Sequence, residues 1–489
     1  MSIQTGVSSS LLAPQNFHVF NLLRAGGKLT NVPLRVALIG AMRSSGATAV
    51  AGTVYDMSGL TPQDGDNLFG AGSELALMHR QSIACASLFG SGPRVFCVPV
   101  AESAGVANVQ TITCVGTATT DSNQIIRVSG RTFVVGVSNG TTQNSNATAI
   151  SNALKARASE LPVIVTVATN VVTLTHATKG ANGADVKVTV DQQVTGIVAT
   201  VATGTAGTSV TDHQPALDAL SPLRYDGIVF ANHASADVTE VLADIAIRWG
   251  AASKTWAQYF MGEPGTIGTG TVLSAAGNDK ALNVASFEGC MNTAGEMATT
   301  YAMMVFSRER PNASYNGVKV PLYPPATATI YTPTEVETAL AAGLTPFVAV
   351  LDSTGSVTQN RAKCVRAVTT HTTQNSNPDD KVRDIGITRT IIAIAVQLEI
   401  ESDARFGPDA NPDGVRASDV PGLVKKMWAA IARAEARDKV LDPDQVEADI
   451  AATVVEADLV VAGRFNTAIF YHYNGSLHQI AWQHNVTVP

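Results

Sequence analysis

Apolar runs and a helical periodicity alternate along the first hundred residues of the chain. Residues 33–40 form a short apolar run that ends in Gly40, and residues 94–100 form a second one. Such runs are typical of strands that are buried on both faces. Between them, residues 73–89 carry apolar side chains at helical spacing. A strand, a helix and a second strand predict the beginning of an α/β layer.

The sequence changes character at about residue 102 and keeps its new character to about residue 208. This stretch is rich in Thr, Val, Ser, Asn and Gly. Its alternating runs, at 123–129, 131–137 and 170–176, predict half-buried strands, and residues 148–161 predict one helix. We therefore predict that 102–208 is an inserted, mostly antiparallel β domain that is rich in loops and faces outward.

The α/β pattern resumes after the insert. Strands are predicted at 225–230 and 347–351, and helices at 238–249, 298–308 and 334–343. Because one pattern continues on both sides of the insert, residues 31–101 and 209–355 are predicted to be two parts of one interrupted α/β domain.

The part of the chain from 356 to 465 is predicted to be a helix-rich C-terminal domain. Helical spacing is clear at 384–401 and 421–438. The second of these helices has one apolar face, and its other side carries three basic residues that fall together at 100° per residue. They are Lys426, Arg433 and Arg437. This basic face is either a contact surface or simply solvated.

Extended segments are predicted at both ends of the chain, as arms at 1–30 and 466–489. Asn474-Gly475 is the preferred dipeptide of a type I′ turn, and it separates two β-prone runs. A two-stranded hairpin is marginal alone and needs a sheet to join. We therefore predict that the arms add strands to neighbouring subunits, or else that the hairpin folds back on its own subunit. The candidate strand-exchange residues are Val19, Phe20, Ile469, Tyr471, Ile480 and Trp482.

These patterns together predict the fold class, which is α/β and α+β multidomain. An α/β core carries an inserted antiparallel β domain, a helix-rich C-terminal domain and extended β-strand arms at both termini.

Composition argues for a soluble protein made in a cytoplasm. The 489 residues carry a net charge of −7, and only 15% of them are charged. The chain therefore lacks the excess of positive charge that binding of nucleic acid needs. We find no signal peptide and no apolar run of the roughly 18 residues that a membrane span needs. The cysteines form no CxxC pair, so we expect buried reduced thiols, with inter-subunit disulfides as the alternative. They are Cys85, Cys97, Cys114, Cys290 and Cys364.

The sequence contains partial matches to ligand-binding motifs, but we find no set of residues that would form a catalytic site. Residues 36–46 resemble a strand followed by a phosphate loop, yet they lack the Lys-Ser/Thr of that loop. The glycine cluster at 265–270 is interpreted as a structural loop. We therefore expect no enzyme activity, no cofactor and no metal.

Two series of short stretches, taken together, resemble one protein family. The first series runs from 225–230 through 242–250 and 265–277 to Arg310-Pro311 and 320–325, and the second consists of 405–408 and 439–449. Their order resembles that of the contractile tail sheath proteins of Mu-like myophages. The resemblance covers about 31–101 and 210–470.

The resemblance implies a structural subunit of a bacteriophage tail, found in the virion after assembly in the host cytoplasm. It implies stacked hexameric rings around a tail tube, with terminal strands linking neighbours and contraction driving the tube through the host envelope. Its partners would be other copies of the chain, the tail tube protein, and baseplate and tail terminator or neck proteins, without nucleic acid or membrane insertion. Lys426, Arg433 and Arg437 would then face the tube. The alternatives are another self-assembling virion or surface-layer protein, or an α/β enzyme with a nucleotide site.

Overall fold

The structure is a computed structural model. It describes residues 34–192, 194–250, 253–308, 310–325, 331–354, 357–406, 415–458 and 464–474. The candidate strand-exchange residues Val19, Phe20, Ile480 and Trp482 lie outside the described residues, as does the predicted turn beyond Asn474.

The described strands are numbered in chain order. They are β1 (Arg35–Ala41), β2 (Tyr55–Asp56), β3 (Arg94–Val100), β4 (Val109–Gly116), β5 (Ser122–Val128), β6 (Arg131–Val137), β7 (Val163–Ala168), β8 (Val171–His176), β9 (Val188–Gln192), β10 (Ile197–Thr203), β11 (Gly227–Phe230), β12 (Gln258–Glu263), β13 (Leu282–Ser286), β14 (Lys319–Val320), β15 (Leu344–Leu351), β16 (Val357–Cys364), β17 (Thr373–Gln374), β18 (Asn377–Pro378), β19 (Val454–Ala457) and β20 (Phe465–Ala468).

The described α-helices are numbered in the same way. They are α1 (Pro62–Phe69), α2 (Glu74–Phe89), α3 (Gln143–Lys155), α4 (Gln214–Leu220), α5 (Ser235–Arg248), α6 (Ile267–Ala276), α7 (Ala294–Phe306), α8 (Pro333–Ala341), α9 (Ile385–Phe406), α10 (Val420–Arg437) and α11 (Val446–Ala452). None of these helices is long and apolar enough to cross a membrane.

A mixed nine-stranded sheet forms the centre of the molecule. Its order is β14-β16-β15-β13-β12-β11-β1-β3-β2, and the six strands from β15 to β3 run parallel. After Arg35, strand β1 is apolar and buried because both of its faces are covered. Val36 and Leu38 point into one core with α2 and α7, whereas Ala37 and Ile39 point into a second core with α4, α5 and α6. The sheet is therefore wound with helices on both faces.

The residues between β3 and β11 build two smaller antiparallel sheets, of order β10-β4-β8-β7 and β6-β5-β9. Their inward side chains pack with Ala147, Ile150 and Leu154 of helix α3 into a separate apolar core. The period-two burial of β6, in which every second residue is buried, reflects one core face and one outer face. This segment thus has its own core and reaches the central sheet through side-chain contacts described below.

Helix α6 corrects one expectation from the sequence. The glycine cluster at 265–270 opens this helix and is not a loop. Thr266 caps it, since its hydroxyl oxygen accepts a hydrogen bond from the backbone N–H of Thr269 at 3.2 Å. Gly270 lies where a Cβ atom would come within 2.9 Å of the Leu344 side chain. The glycine therefore allows close packing of the helix on β15.

Candidate functional site: assembly surfaces and a filled crevice

Helix α10 carries the basic face predicted from the sequence. Its opposite side packs into an apolar cluster around Met427, Trp428 and Ile431. The three basic residues Lys426, Arg433 and Arg437 are all exposed. Hydrophobic burial on one side thus fixes which side chains face solvent.

Arg433 differs from the other two basic residues, because it is already paired. Its guanidinium makes a bidentate contact with Glu447 of α11, with Nε–Oε1 and Nη2–Oε2 distances of 2.6 and 2.8 Å. Among the described residues, Lys426 and Arg437 have no acid within ion-pair distance. Both members of the Arg433–Glu447 pair are exposed, so the pair contributes little to stability.

The segment that leads to the C-terminal arm lies on its own subunit. Strand β20 pairs with β19, in a register that sets Phe465 opposite Ala457 and Ala468 opposite Val454. Ile469 and Tyr471 pack against the α10 cluster, and the Tyr471 ring lies 5.8 Å from that of Trp428. A strand donated from this arm would therefore start beyond these residues, or it would have to break these contacts.

Hydrogen bonds hold the same segment beyond the apolar cluster. The His472 backbone N–H donates to Asp449 Oδ2 at 2.9 Å, and the His472 ring nitrogen Nδ1 lies 2.8 Å from Asp449 Oδ1. The Asn474 backbone N–H donates to the carbonyl of Val440 at 3.0 Å. Residues 465–474 are thus held by β19, by α10 and α11 and by the loop between these two helices.

A second feature lies at the carboxyl ends of the parallel strands. Strands β3 and β11 flank β1 on opposite sides, so the strand order reverses at β1. In open α/β sheets, ligands bind in the crevice at such a switch point. Here the crevice is lined by polar side chains from both the sheet domain and the inserted segment. They are Glu74, His176, Asn182, Asp185 and Thr293.

Residues of the inserted segment fill much of this crevice. Asp185 Oδ2 accepts a hydrogen bond from the backbone N–H of Ala294, at the N-terminus of α7, at 3.3 Å. A helix N-terminus favours negative charge, and in nucleotide-binding folds that charge is a phosphate. The Asn182 amide donates to Glu74 Oε1 at 3.1 Å and to Asn232 Oδ1 at 2.6 Å. The chain thus places its own carboxylate and amide where other α/β folds hold a ligand.

A buried ion pair joins the insert to the centre of the molecule. Arg131 of β6 places Nη2 2.6 Å from Oε1 of Glu296, and both side chains are buried. Glu296 lies on α7, all 13 residues of which are buried. The two partners are 165 residues apart, so no local pattern in the sequence could have revealed the pair. The only local signal was Thr293, which forms a capping box with Glu296.

The five cysteines are free and buried. Burial raises the pKa of the Cys85 and Cys290 thiols to about 12. In these positions the side chains are held as unreactive thiols, and none of them can reach a neighbouring molecule without a change in the fold.

Comparisons with known proteins find similarity to one family. Residues 206–362 match the model of the phage tail sheath protein central domain. Over 312 residues the chain is 24% identical to the Mu-like prophage FluMu tail sheath protein of Haemophilus influenzae, and the alignment covers 62% of each chain. The chain therefore spans somewhat less than two thirds of the length of this curated relative.

Solved structures are similar over nearly the whole chain. A sheath tail protein from Listeria innocua has a TM-score of 0.52 at 14% identity, covering 92% of this chain and 94% of that one. A sheath tail protein from Desulfitobacterium hafniense has a TM-score of 0.49 at 12% identity, covering 94% and 100%. The Listeria likeness shows a shared fold.

The family model and the curated relative both support a phage tail sheath protein, in agreement with the resemblance found in the sequence. The solved structure from Listeria innocua adds a shared fold.

Proposed function

We propose that this chain polymerises as stacked hexameric rings around an inner tail tube, and that the sheath contracts to drive the tube through the host envelope. The observation that carries the proposal is the match of residues 206–362 to the sheath central domain. The name of the Haemophilus relative supports it. Partners are then other copies of the chain, the tube protein, and baseplate and neck or terminator proteins.

The filled crevice supports a structural role over an enzymatic one. An α/β enzyme binds its ligand at the switch point, but here Asp185 occupies the N-terminus of α7 and Asn182 bridges Glu74 and Asn232. In a contractile sheath the free energy of contraction resides in the metastable extended assembly. Such a machine requires no nucleotide.

The arm contacts suggest where the tether between subunits begins. Because residues 465–474 are bound to β19, α10 and α11, we assign the donated strand to the residues after Asn474. In this arrangement Ile469 and Tyr471 anchor the tether, while Ile480 and Trp482 travel with the donated strand. A strand that adds to the sheet of a neighbour binds through main-chain hydrogen bonds and does not require a new side-chain pocket for its affinity.

The tube contact is assigned to α10. Lys426 and Arg437 are exposed and unpaired among the described residues, whereas Arg433 already binds Glu447. We therefore expect Lys426 and Arg437 to pair with acids on the tube, with Arg433 contributing less. Charge reversal at both residues should abolish sheath–tube co-assembly, and reversal of the exposed Lys155 in the insert is the matched control. Intact co-assembly in the Lys426→Glu/Arg437→Glu variant would refute this assignment.

Electron microscopy of three concentrated samples tests the assembly. The full chain should form hollow helical tubes, and a chain that lacks residues 475–489 should stay monomeric but folded. A chain that lacks 466–489 should also lose Ile469 and Tyr471 from the α10 cluster and melt at a lower temperature. Closed shells or flat sheets would favour another virion or surface-layer protein. Monomers in all samples, with a thermal shift on adding nucleotide, would favour an enzyme.

A further inference from the structure

A histidine lies between the inserted segment and the central sheet, beside the crevice described above and in contact with its lining residue Asp185. His233 follows β11, the neighbour of β1, at which the strand order of the sheet reverses. Its Nε2 atom is 3.2 Å from Asp185 Oδ2 in the insert, and its Nδ1 atom is 3.0 Å from Glu263 Oε2 at the end of β12. One ring therefore bridges two carboxylates from separate parts of the chain.

This geometry specifies the protonation state of the ring. A neutral imidazole has one N–H donor and one acceptor nitrogen, whereas the imidazolium has two donors. Carboxylates only accept hydrogen bonds when ionised, so both contacts form together only on the imidazolium. Removing the proton would leave one ring nitrogen directed at a carboxylate without a hydrogen between them.

Other charged groups, both acidic and basic, surround this contact. Asp237, in the first turn of α5, attracts the charged ring, while Lys187 attracts Asp185. Buried carboxylates without a cation are costly, so the positive ring offsets a local excess of negative charge. The remaining charged or titratable groups at the junction are Glu74, His176, Arg131 and Glu296.

We propose that the inserted segment is an internal ligand of the crevice, and that Asp185 stays bound there only while His233 carries its proton. In this bound arrangement, called the seated state, Asp185 occupies the N-terminus of α7 and binds the imidazolium. Loss of the proton releases Asp185 and its flanking turn from the crevice while the central sheet stays folded. The inference concerns the single chain and does not depend on sheath assembly.

The direction of the pH effect follows from the two groups. Burial disfavours the imidazolium, but the charge of Asp185 and the hydrogen bonds to Asp185 and Glu263 outweigh it, so the pKa of His233 lies well above its usual value. A raised pKa means that the contact is fully present below about pH 6.5 and is lost as the pH rises through the seated-state pKa. Burial also opposes the charge of Asp185, but the charge of His233 together with the hydrogen bonds from His233 and from the Ala294 backbone N–H outweighs it and lowers the pKa of that carboxyl. Seating therefore survives mild acid.

Hydrogen exchange on the full chain, read by mass spectrometry and corrected for the intrinsic pH dependence of exchange, tests the proposal. Peptides that cover 178–186 and 292–296 report on the junction, which is the contact between the inserted segment and the start of α7. Peptides that cover β1 and β12 report on the central sheet. Between the released-state and seated-state pKa values of His233, junction protection should fall about tenfold for each pH unit. Protection of the central sheet should stay constant.

Two variants isolate the histidine. His233→Gln should lose junction protection already at pH 6 and show no pH dependence up to pH 9, because its amide carries no titrating proton. His472→Gln is the matched control, since His472 also binds a carboxylate, Asp449, but in the C-terminal part of the chain. It should leave the junction profile unchanged.

Equal junction protection in the wild type and His233→Gln would overturn the proposal. So would a parallel loss of protection in β1 and β12, because the release would then be global unfolding. If His233→Gln does not fold, the slope of the wild-type profile decides: a flat profile refutes the role of the proton, and a tenfold change per pH unit supports it.

Discussion

The buried pair of Arg131 and Glu296 provides the sharpest test of how the insert is held. The change is Glu296→Gln, which keeps the size of the side chain and removes its charge. Gln at this position still completes the capping box with Thr293, so the start of α7 is preserved. The substitution therefore removes the ion pair and little else.

The expected loss of stability follows from burial. Arg131 is 6% exposed and Glu296 is fully buried, so the guanidinium would be left in the interior without its counter-charge. Breaking one side of such a pair costs about 3–5 kcal/mol. The contact of Arg131 with the Ser129 carbonyl, at 2.7 Å, and its position 5.4 Å from the Tyr323 ring centroid remain, and they place the estimate toward the lower end.

The control is the pair Arg157–Glu160, which has the same chemistry but is partly exposed. Glu160→Gln should cost less than about 1 kcal/mol, because solvent screens the pair. The free energy of opening is measured from the exchange of slow amides in β5 and β6, since the whole chain is too large for a two-state analysis.

A double variant completes the cycle. Arg131→Met/Glu296→Gln removes both charges and should recover much of the loss, because no unpaired charge stays buried. If Glu296→Gln costs no more than Glu160→Gln, burial of the pair does not hold the insert in place and the reasoning is wrong.

Two further predictions follow from buried groups and from glycines. Burial lowers the pKa of His79 to about 4 and that of His213 to about 3, so both are neutral in the native state and charged in the unfolded chain below about pH 6.5. Stability should therefore fall as the pH drops from 6.5 toward 4, and His79 should account for roughly 3 kcal/mol of that fall. In His79→Leu the decrease in melting temperature between pH 7 and pH 5 should be smaller than in the wild type. An unchanged decrease would refute the assignment of His79 as a buried neutral histidine. Gly72 has a φ of +76°, and a Cβ there would lie 2.4 Å from the Leu161 carbonyl oxygen, so Gly72→Ala should lower the melting temperature clearly. Gly422, in the first turn of α10, has open space around it, so Gly422→Ala should stabilise by about 0.5–1 kcal/mol, and equal effects of the two substitutions would contradict this account.

Local sequence patterns determined many of the elements. The apolar runs at 33–40 and 94–100 became β1 and β3, and the helical spacing at 73–89 became α2. Alternation at 131–137 gave β6 with every second residue buried. These predictions succeed because burial of one face or of both faces leaves a periodic record in neighbouring residues.

Turn and glycine signals were less reliable where tertiary contacts competed with them. The glycines at 265–270 suggested a loop, yet packing on β15 and the Thr266 cap made them the start of α6. The β-prone run at 466–473 was expected to pair with the residues after Asn474. In the described part of this region, residues 465–468 form a strand, and its partner is β19. A strand pairs with whichever edge the rest of the fold brings alongside it.

The sequence alone determined the periodic elements and the exposed basic face of α10, since both depend on spacing within one helix or strand. Only the tertiary structure decided that Glu296 meets Arg131 and that His233 lies between Asp185 and Glu263. These partners come from separate segments, and each is a common polar residue with no distinctive neighbours. The route of the chain through space brings them together, and burial then makes each charge depend on its partner.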